Sequence, residues 1–281
     1  MSTSGTGALI PGSQIVNQGY PALNGMNLTY LTASTFSVGA GQARDQSNTM
    51  DMLMGTSLVS GSGAGGTKVL ANSTAVTVNT ALRGAGGLDA GTIANSTLYS
   101  VFAIGDSRGF NAGSALISAV AWNVSPNMPM GYDSWRYIGS VATDGAAALR
   151  PFTQVGGSLD RTMHYQVPVA PGTPATAGSV AYASVGVLGT LTPAKKVAVL
   201  YGVSMDANTA GNLLYLAGFG NVAIASGGFE SKLSSSVTTA PQHAILSATQ
   251  ALNATVYQTV YATTEASDAV TFLVAGYVDQ L

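Results

Sequence analysis

Glutamate and lysine are almost missing from this chain. Glu230 and Glu265 are the only glutamates among 281 residues, and lysine occurs at only four positions. Both residue types are strong helix formers that usually cover the solvent-exposed side of helices. Because they are so rare here, we predict that helix is a minor component and that the chain folds mainly into β-strands.

The low charge also limits the partners that the chain can bind. Charged residues make up 8% of the sequence, with 10 Lys and Arg against 12 Asp and Glu, and the densest basic spot is the pair Lys195 and Lys196. Nucleic-acid binding needs clustered cations that displace counterions from phosphates. We therefore predict that the chain binds no nucleic acid.

Neither cysteine chemistry nor membrane insertion is expected. The chain contains 0 cysteines, which excludes disulfides and thiolate metal sites. Its longest apolar run, residues 213–225, is interrupted by glycines and is shorter than the roughly 20 residues that span a bilayer. Residues 1–25 lack the basic and apolar regions of a secretory signal. We expect a protein that is made in a cytoplasm and does not insert into membranes.

Short runs of β-branched and aromatic residues alternate with turn sequences along most of the chain. Turn residues such as Asp144 and Gly145 separate runs that are spaced as in sandwich and barrel folds. We therefore predict an all-β fold, a jelly-roll-like antiparallel β-sandwich. The predicted strands cover residues 29–38, 75–80, 98–105, 114–122, 136–143, 163–169, 196–204, 255–263 and 269–278.

The sequence divides into three predicted regions. Residues 1–27 are rich in Ser, Gly, Pro and Asn, show no regular hydrophobic period, and predict an extended N-terminal arm. Residues 28–170 predict the β-sandwich body. A stretch rich in Pro, Gly, Ala and Thr then leads into residues 171–281. These predict a second β-rich half, which either completes the same sandwich or follows it as another.

Motifs of catalysis are weak in this sequence. Residues 61–66 match a GxGxxG pattern, but Thr67 precedes Lys68 and no helix-forming stretch follows, so we predict a glycine loop. His164 and His243 lie in neither a nucleophile elbow nor a zinc-binding motif. We predict a protein that is not an enzyme and has no cofactor or metal. Candidates for a glycosidase pair lie mostly in turn contexts, where Asp commonly bonds its own loop: Asp133, Asp144, Asp160 and Asp206.

Several segments together carry a family resemblance. They are RDQSNTMD at 44–51, GAGGLDAGTIA at 84–94, LYSVFAI at 98–104, PMGY at 129–132, RYIGSV at 136–141, TDG at 143–145 and GYVD at 276–279. In order and spacing they resemble a module that recurs in tail-fibre, head-fibre and other virion proteins of tailed bacteriophages. The resemblance covers about residues 40–145 and the C-terminus, and it implies no catalytic residue.

The resemblance implies a structural component of the virion, made in the host cytoplasm: a fibre, spike or surface-decoration protein. Such a protein would dock onto other virion proteins through residues 1–27 and associate with its own copies as a homotrimer. One alternative is a carbohydrate-binding receptor module of a tail fibre, which would bind a host surface glycan. A further alternative is an enzyme that degrades host polysaccharide. For the receptor module, neighbouring aromatic side chains would provide stacking faces: Trp122, Tyr132, Trp135 and Tyr137.

Overall fold

The computed structural model of this chain consists of β-strands and connecting loops. No helix occurs in the part of the chain that the structure describes, and hence none there that is long and apolar enough to cross a membrane. The all-β class that the rarity of Glu and Lys predicts is therefore confirmed. The structure describes residues 23–55, 58–60, 68–70, 73–157, 160–169, 183–184, 191, 193, 196–206, 213–217, 231–234, 242–249, 260–263 and 269–281.

The strands are short in the first third of the chain and longer after residue 98. In chain order they are β1 (Leu23–Gly25), β2 (Leu28–Thr32), β3 (Thr35–Val38), β4 (Gly41–Arg44), β5 (Asp51–Leu53), β6 (Leu58–Ser60), β7 (Lys68–Leu70), β8 (Val76–Asn79), β9 (Gly87–Leu88), β10 (Leu98–Gly105), β11 (Ser114–Ser118), β12 (Ser134–Ala142), β13 (Phe152–Gly156), β14 (Asp160–Val169), β15 (Ala183–Ser184), β16 (Lys196–Asp206), β17 (Leu213–Ala217), β18 (Ser231–Ser234), β19 (Gln242–Thr249), β20 (Val260–Thr263) and β21 (Ala269–Gln280).

The largest sheet has eight antiparallel strands in the order β19-β16-β21-β14-β13-β2-β3-β8. Strand β21, near the C-terminus, lies between β16 and β14. Because β14 precedes residue 170 and β16 follows it, this sheet contains strands from both of the predicted β-rich regions. The division of the chain at residue 170 stays a prediction.

A four-stranded sheet, in the order β12-β10-β11-β9, packs against this framework. The long ladders of β10 with β11 and with β12 are antiparallel, and only the two-residue β9 pairs in parallel within this sheet. Every residue of β10 from Tyr99 to Gly105 is buried, so both faces of this strand are covered. The remaining sheets are β1-β4-β5, β15-β20-β17-β18 and the hairpin β6-β7.

The hydrophobic core is continuous between these sheets and is rich in aromatic rings. Phe36 on β3 contacts Phe152 on β13 edge to face, with ring centroids 6.4 Å apart. Phe102 on β10 makes a similar contact with Tyr137 on β12 at 6.2 Å. Such T-shaped pairs add to the stabilisation that burial of the rings provides.

A buried arginine connects three parts of the core. Arg161 on β14 is 1% exposed, and its Nη1 donates to the carbonyls of Met26 (2.9 Å) and Ile138 (3.0 Å). Its Nη2 donates to the carbonyl of Gly25. Burial lowers the pKa of Arg161 to about 10, while the nearby carboxylate of Asp279 opposes this shift. The guanidinium therefore stays charged at neutral pH.

Strand β12 forms an edge of its sheet, yet three of its carbonyls accept hydrogen bonds from groups outside the sheet. The carbonyl of Trp135 accepts a hydrogen bond from the Gln46 backbone N–H at 2.8 Å. The carbonyl of Ile138 accepts from Arg161, and that of Ser140 accepts from the Tyr277 hydroxyl at 2.9 Å. Donors from a loop and from two side chains thus take the place of another strand at these three positions.

The last residues of the predicted arm pack with the body. Strand β1 pairs with β4 through Leu23 and Ala43, and the side chains of Leu23 and Met26 are 1% and 0% exposed. Residues 1–22 lie outside the described part of the chain. The docking role of the arm stays a prediction, and any test of it must leave residues 23–27 in place.

Candidate functional site

The best-defined candidate site is formed by two loops at one end of the four-stranded sheet. Residues 106–113 connect β10 to β11, and residues 129–133 end the connection from β11 to β12. We refer to these two segments together as the tip. They carry two of the most exposed large apolar side chains in the described part of the chain, Phe110 (80%) and Met130 (100%).

Asp106 organises the first loop of the tip. One carboxylate oxygen, Oδ1, accepts from the backbone N–H of Arg108 at 3.0 Å and from its Nε at 2.9 Å. The other, Oδ2, accepts from the backbone N–H of Asn111 at 3.1 Å and from its Nδ2 at 2.8 Å. Burial raises the pKa of Asp106, but these hydrogen bonds outweigh it and lower the pKa to about 2. The loop is therefore built around an ionised carboxylate.

The second loop is joined to the first by side-chain hydrogen bonds. The carbonyl of Gly131 accepts from Arg108 Nη2 (3.2 Å) and from Asn111 Nδ2 (3.1 Å). Gly131 has φ +91°, and a Cβ there would lie 2.5 Å from Asn111 Nδ2, so the position requires glycine. The Tyr132 hydroxyl donates to the carbonyl of Ala112 at 2.9 Å. These bonds hold the two loops in one fixed arrangement.

Charged groups at the tip are fixed in the same way. Asp133 accepts from the Ser107 backbone N–H at 2.9 Å and from the Ser107 hydroxyl. The Arg108 guanidinium lies 5.8 Å from the centroid of the Phe110 ring, which is within cation–π range. The tip thus presents apolar side chains on a hydrogen-bonded base, a combination suited to contact with another macromolecule.

Three of the four aromatic residues predicted to stack on a ligand contact other aromatic rings of the protein. Tyr137 is 2% exposed, and its ring centroid lies 6.5 Å from that of Trp122. Trp135 contacts Phe102 edge to face at 5.5 Å. Burial, together with the nearby Asp279, raises the pKa of the Tyr137 phenol well above its ordinary value. Because it is buried, Tyr137 is better placed to pack in the hydrophobic core than to stack on a ligand. Tyr132, in contrast, lies in the second loop of the tip.

The aspartates considered as glycosidase candidates are dispersed. Asp133 bonds Ser107, and Asp144 accepts from the backbone N–H groups of Ala146 (2.8 Å) and Ala148 (2.9 Å). Asp144 thus bonds its own turn, whereas Asp133 bonds the other loop of the tip. Asp160 and His164 are exposed positions on β14. The side chains of Asp206 and His243, and the glycine loop at 61–66, lie outside what the structure describes.

Within the described residues, no group of three His, Cys, Asp or Glu side chains is arranged to hold a metal ion. No protein-family model matches the chain, and no curated protein matches it either.

The local composition of the tip predicts turns, but it does not predict exposed apolar residues there. The run from Asp106 to Gly109 has the composition of a turn, and Gly131 follows a proline by two positions. The two loops that contain these turns each carry a large apolar residue, Phe110 in the first and Met130 in the second. A large apolar side chain inside a predicted turn is the signal that could have indicated an exposed contact residue.

Replacing Asp106 with asparagine is expected to lower the free energy of unfolding by about 2 kcal/mol near neutral pH, because hydrogen bonds to an ionised carboxylate are lost. The folded-state pKa of about 2 lies below the ordinary value of 3.8. The ionised carboxylate therefore stabilises the fold at pH values above 3.8, and this contribution is lost as the pH falls through about 2. Denaturant unfolding at a series of pH values measures both effects.

The exposed Asp160 provides the control. Asp160→Asn should change the free energy of unfolding by less than about 0.5 kcal/mol. An Asp106→Asn protein with the same stability as the wild type at neutral pH would contradict the role of Asp106 in the tip.

Proposed function

We propose that this protein is a non-enzymatic structural component of a tailed-phage particle: a fibre, spike or surface-decoration protein. It docks onto other virion proteins through its N-terminal arm and associates with copies of itself as a homotrimer. The proposal is supported by what the segments that resemble the tailed-phage module do in the fold. Their polar side chains hold loops in shape around an all-β body.

The segment at 44–51 illustrates this use. Asp45 Oδ1 accepts from the backbone N–H groups of Thr49 (2.6 Å) and Met50 (2.8 Å). Arg44 and Asp51 form an ion pair at 3.3 Å. Burial raises the pKa of Asp45, but hydrogen bonds from Ser47, Met50 and Thr49 outweigh it and leave the pKa lowered. This carboxylate therefore acts as a loop anchor.

The segment at 143–145 has the same design. Asp144 closes its own turn with the two backbone bonds described above, and these hydrogen bonds lower its pKa. The Thr143 hydroxyl donates to the carbonyl of Ala94 at 2.7 Å and so connects this turn to the phage-like segment at 84–94. Segments that are distant in sequence but share a resemblance thus support one another in the fold. A scaffold role accounts for this arrangement without requiring a reactive group.

Deleting residues 1–22 is expected to leave a folded body that no longer joins particles. The deletion retains β1 and Met26, so the core contacts of the entry strand are preserved. The thermal midpoint of the truncated protein should match that of the full chain, while its occupancy on assembled particles should fall below detection. Circular dichroism and quantitative immunoblotting of purified particles measure the two properties.

A longer deletion gives the matched control for folding. Removing residues 1–27 also removes β1 and the carbonyls of Gly25 and Met26 that accept from Arg161. This protein should be less stable than the one lacking residues 1–22. Normal occupancy of particles by the protein lacking residues 1–22 would show that the arm does not dock.

A further inference from the structure

Phe110 and Met130 are large apolar side chains that the tip leaves exposed. Single exposed apolar residues are common on protein surfaces. Here, however, each one extends from a different loop of the tip, and the two loops are bonded together at Gly131. Loops whose backbones are fixed before binding lose little conformational entropy when they enter an interface. The tip therefore has the properties of a preformed contact surface.

The charges of the tip are complementary to those of a second tip. Arg108 on the first loop has a 56% exposed side chain, and Asp133 on the second loop is exposed as well. A rotation that brings two copies together through this surface can place the cation of one opposite the carboxylate of the next. Such an arrangement requires no partner of different charge, so a second copy of the chain is the occupant that the tip fits best.

We propose that the tip is the surface through which copies of this chain associate. Phe110 and Met130 of one copy pack against those of its neighbour, and Arg108 of one copy lies opposite Asp133 of the next. The inference rests on the self-association in the proposed function. Three tips around a rotation axis form a closed assembly, in agreement with the proposed homotrimer.

The surface area of Phe110 and Met130 is sufficient for the centre of an interface but not for a whole interface. A standard interface buries about 800 Å² on each partner, and a large side chain contributes roughly 150–250 Å². Phe110 and Met130 therefore provide only part of this area, and the surrounding loops would supply the remainder. Residues with this central position usually carry most of the binding energy.

The experiment is light scattering of the purified full chain and its variants at micromolar concentration, without other virion proteins. The double variant Phe110→Ser with Met130→Ser should have the mass of one chain, whereas the wild type should have the mass of an oligomer. Val167→Ser provides the control, since Val167 is 68% exposed but lies on β14, outside the tip. This control should keep the wild-type mass.

Circular dichroism verifies that each variant remains folded. If the double variant loses its β spectrum, the single variants Phe110→Ser and Met130→Ser replace it, and each should raise the dissociation constant of the oligomer at least tenfold. An oligomer of unchanged mass and affinity in the folded variants overturns the tip contact but leaves self-association intact. A wild type with the mass of one chain overturns the self-association itself.

Discussion

Replacing Arg161 with methionine is expected to lower the free energy of unfolding by about 3–5 kcal/mol. The substitution removes a buried cation and its donors from the carbonyls of Gly25, Met26 and Ile138. It also leaves the carboxylate of Asp279, the cross-strand partner of Arg161, buried without its cationic neighbour. Since domains of this kind are stable by only about 5–15 kcal/mol, the loss is a large fraction of the total.

Denaturant unfolding followed by circular dichroism measures this effect. Arg83, which is exposed, is the matched control, and Arg83→Met should change the free energy of unfolding by less than about 0.5 kcal/mol. Adding Asp279→Asn to Arg161→Met should lower the free energy of unfolding by less than the sum of the two single changes, because the second change removes a buried negative charge near the lost cation. A loss below about 1 kcal/mol for Arg161→Met would contradict the role assigned to this arginine.

Replacing Gly113 with alanine is expected to lower the free energy of unfolding by about 3 kcal/mol or more, because the added methyl group would clash with backbone atoms and not with a movable side chain. A Cβ at Gly113 would lie 1.9 Å from the carbonyl oxygen of Leu53. The Gly113 carbonyl also accepts from the backbone N–H of Gly55 at 2.7 Å. The start of β11 therefore cannot move away without breaking its contact with the chain that follows β5.

Gly145→Ala is the control for this prediction. A Cβ at Gly145 has no neighbour within 4 Å, and the residue does not have a positive φ. The substitution should leave the midpoint of denaturant unfolding unchanged or raise it slightly, because alanine restricts the unfolded chain. Equal stability of Gly113→Ala and Gly145→Ala would show that the contact between Gly113 and Leu53 is not tight in solution.

Strand positions could be predicted well where apolar and β-forming residues make up a long run. The prediction for residues 98–105 matches β10, Leu98–Gly105, and the prediction for residues 269–278 lies within β21, Ala269–Gln280. The predicted run 29–38 is instead two strands, β2 and β3, joined by a turn at residues 33–34. That turn contains Ala33 and Ser34 and lacks the glycine or proline that usually indicates a reversal.

The candidate site was less predictable, because its properties arise from contacts between distant residues. Local composition gives the turn at Asp106, but it does not show that Gly131 accepts from two side chains of the other loop. Arg161 was missed for a similar reason. Its acceptors are separated from it by up to 136 positions in the chain. A short sequence pattern cannot predict hydrogen bonds between residues so far apart.

The occupied outer edge of β12 has a consequence for how copies of this chain can meet. An open edge strand is a template on which a strand from another molecule can add, and repeated addition produces fibrils. Along β12 the carbonyls of Trp135, Ile138 and Ser140 already accept from donors of the same chain. A foreign strand could bind there only by displacing a buried guanidinium and a buried phenol. At these three positions of β12 the fold therefore opposes strand addition, and any contact between molecules there would involve side chains and loops.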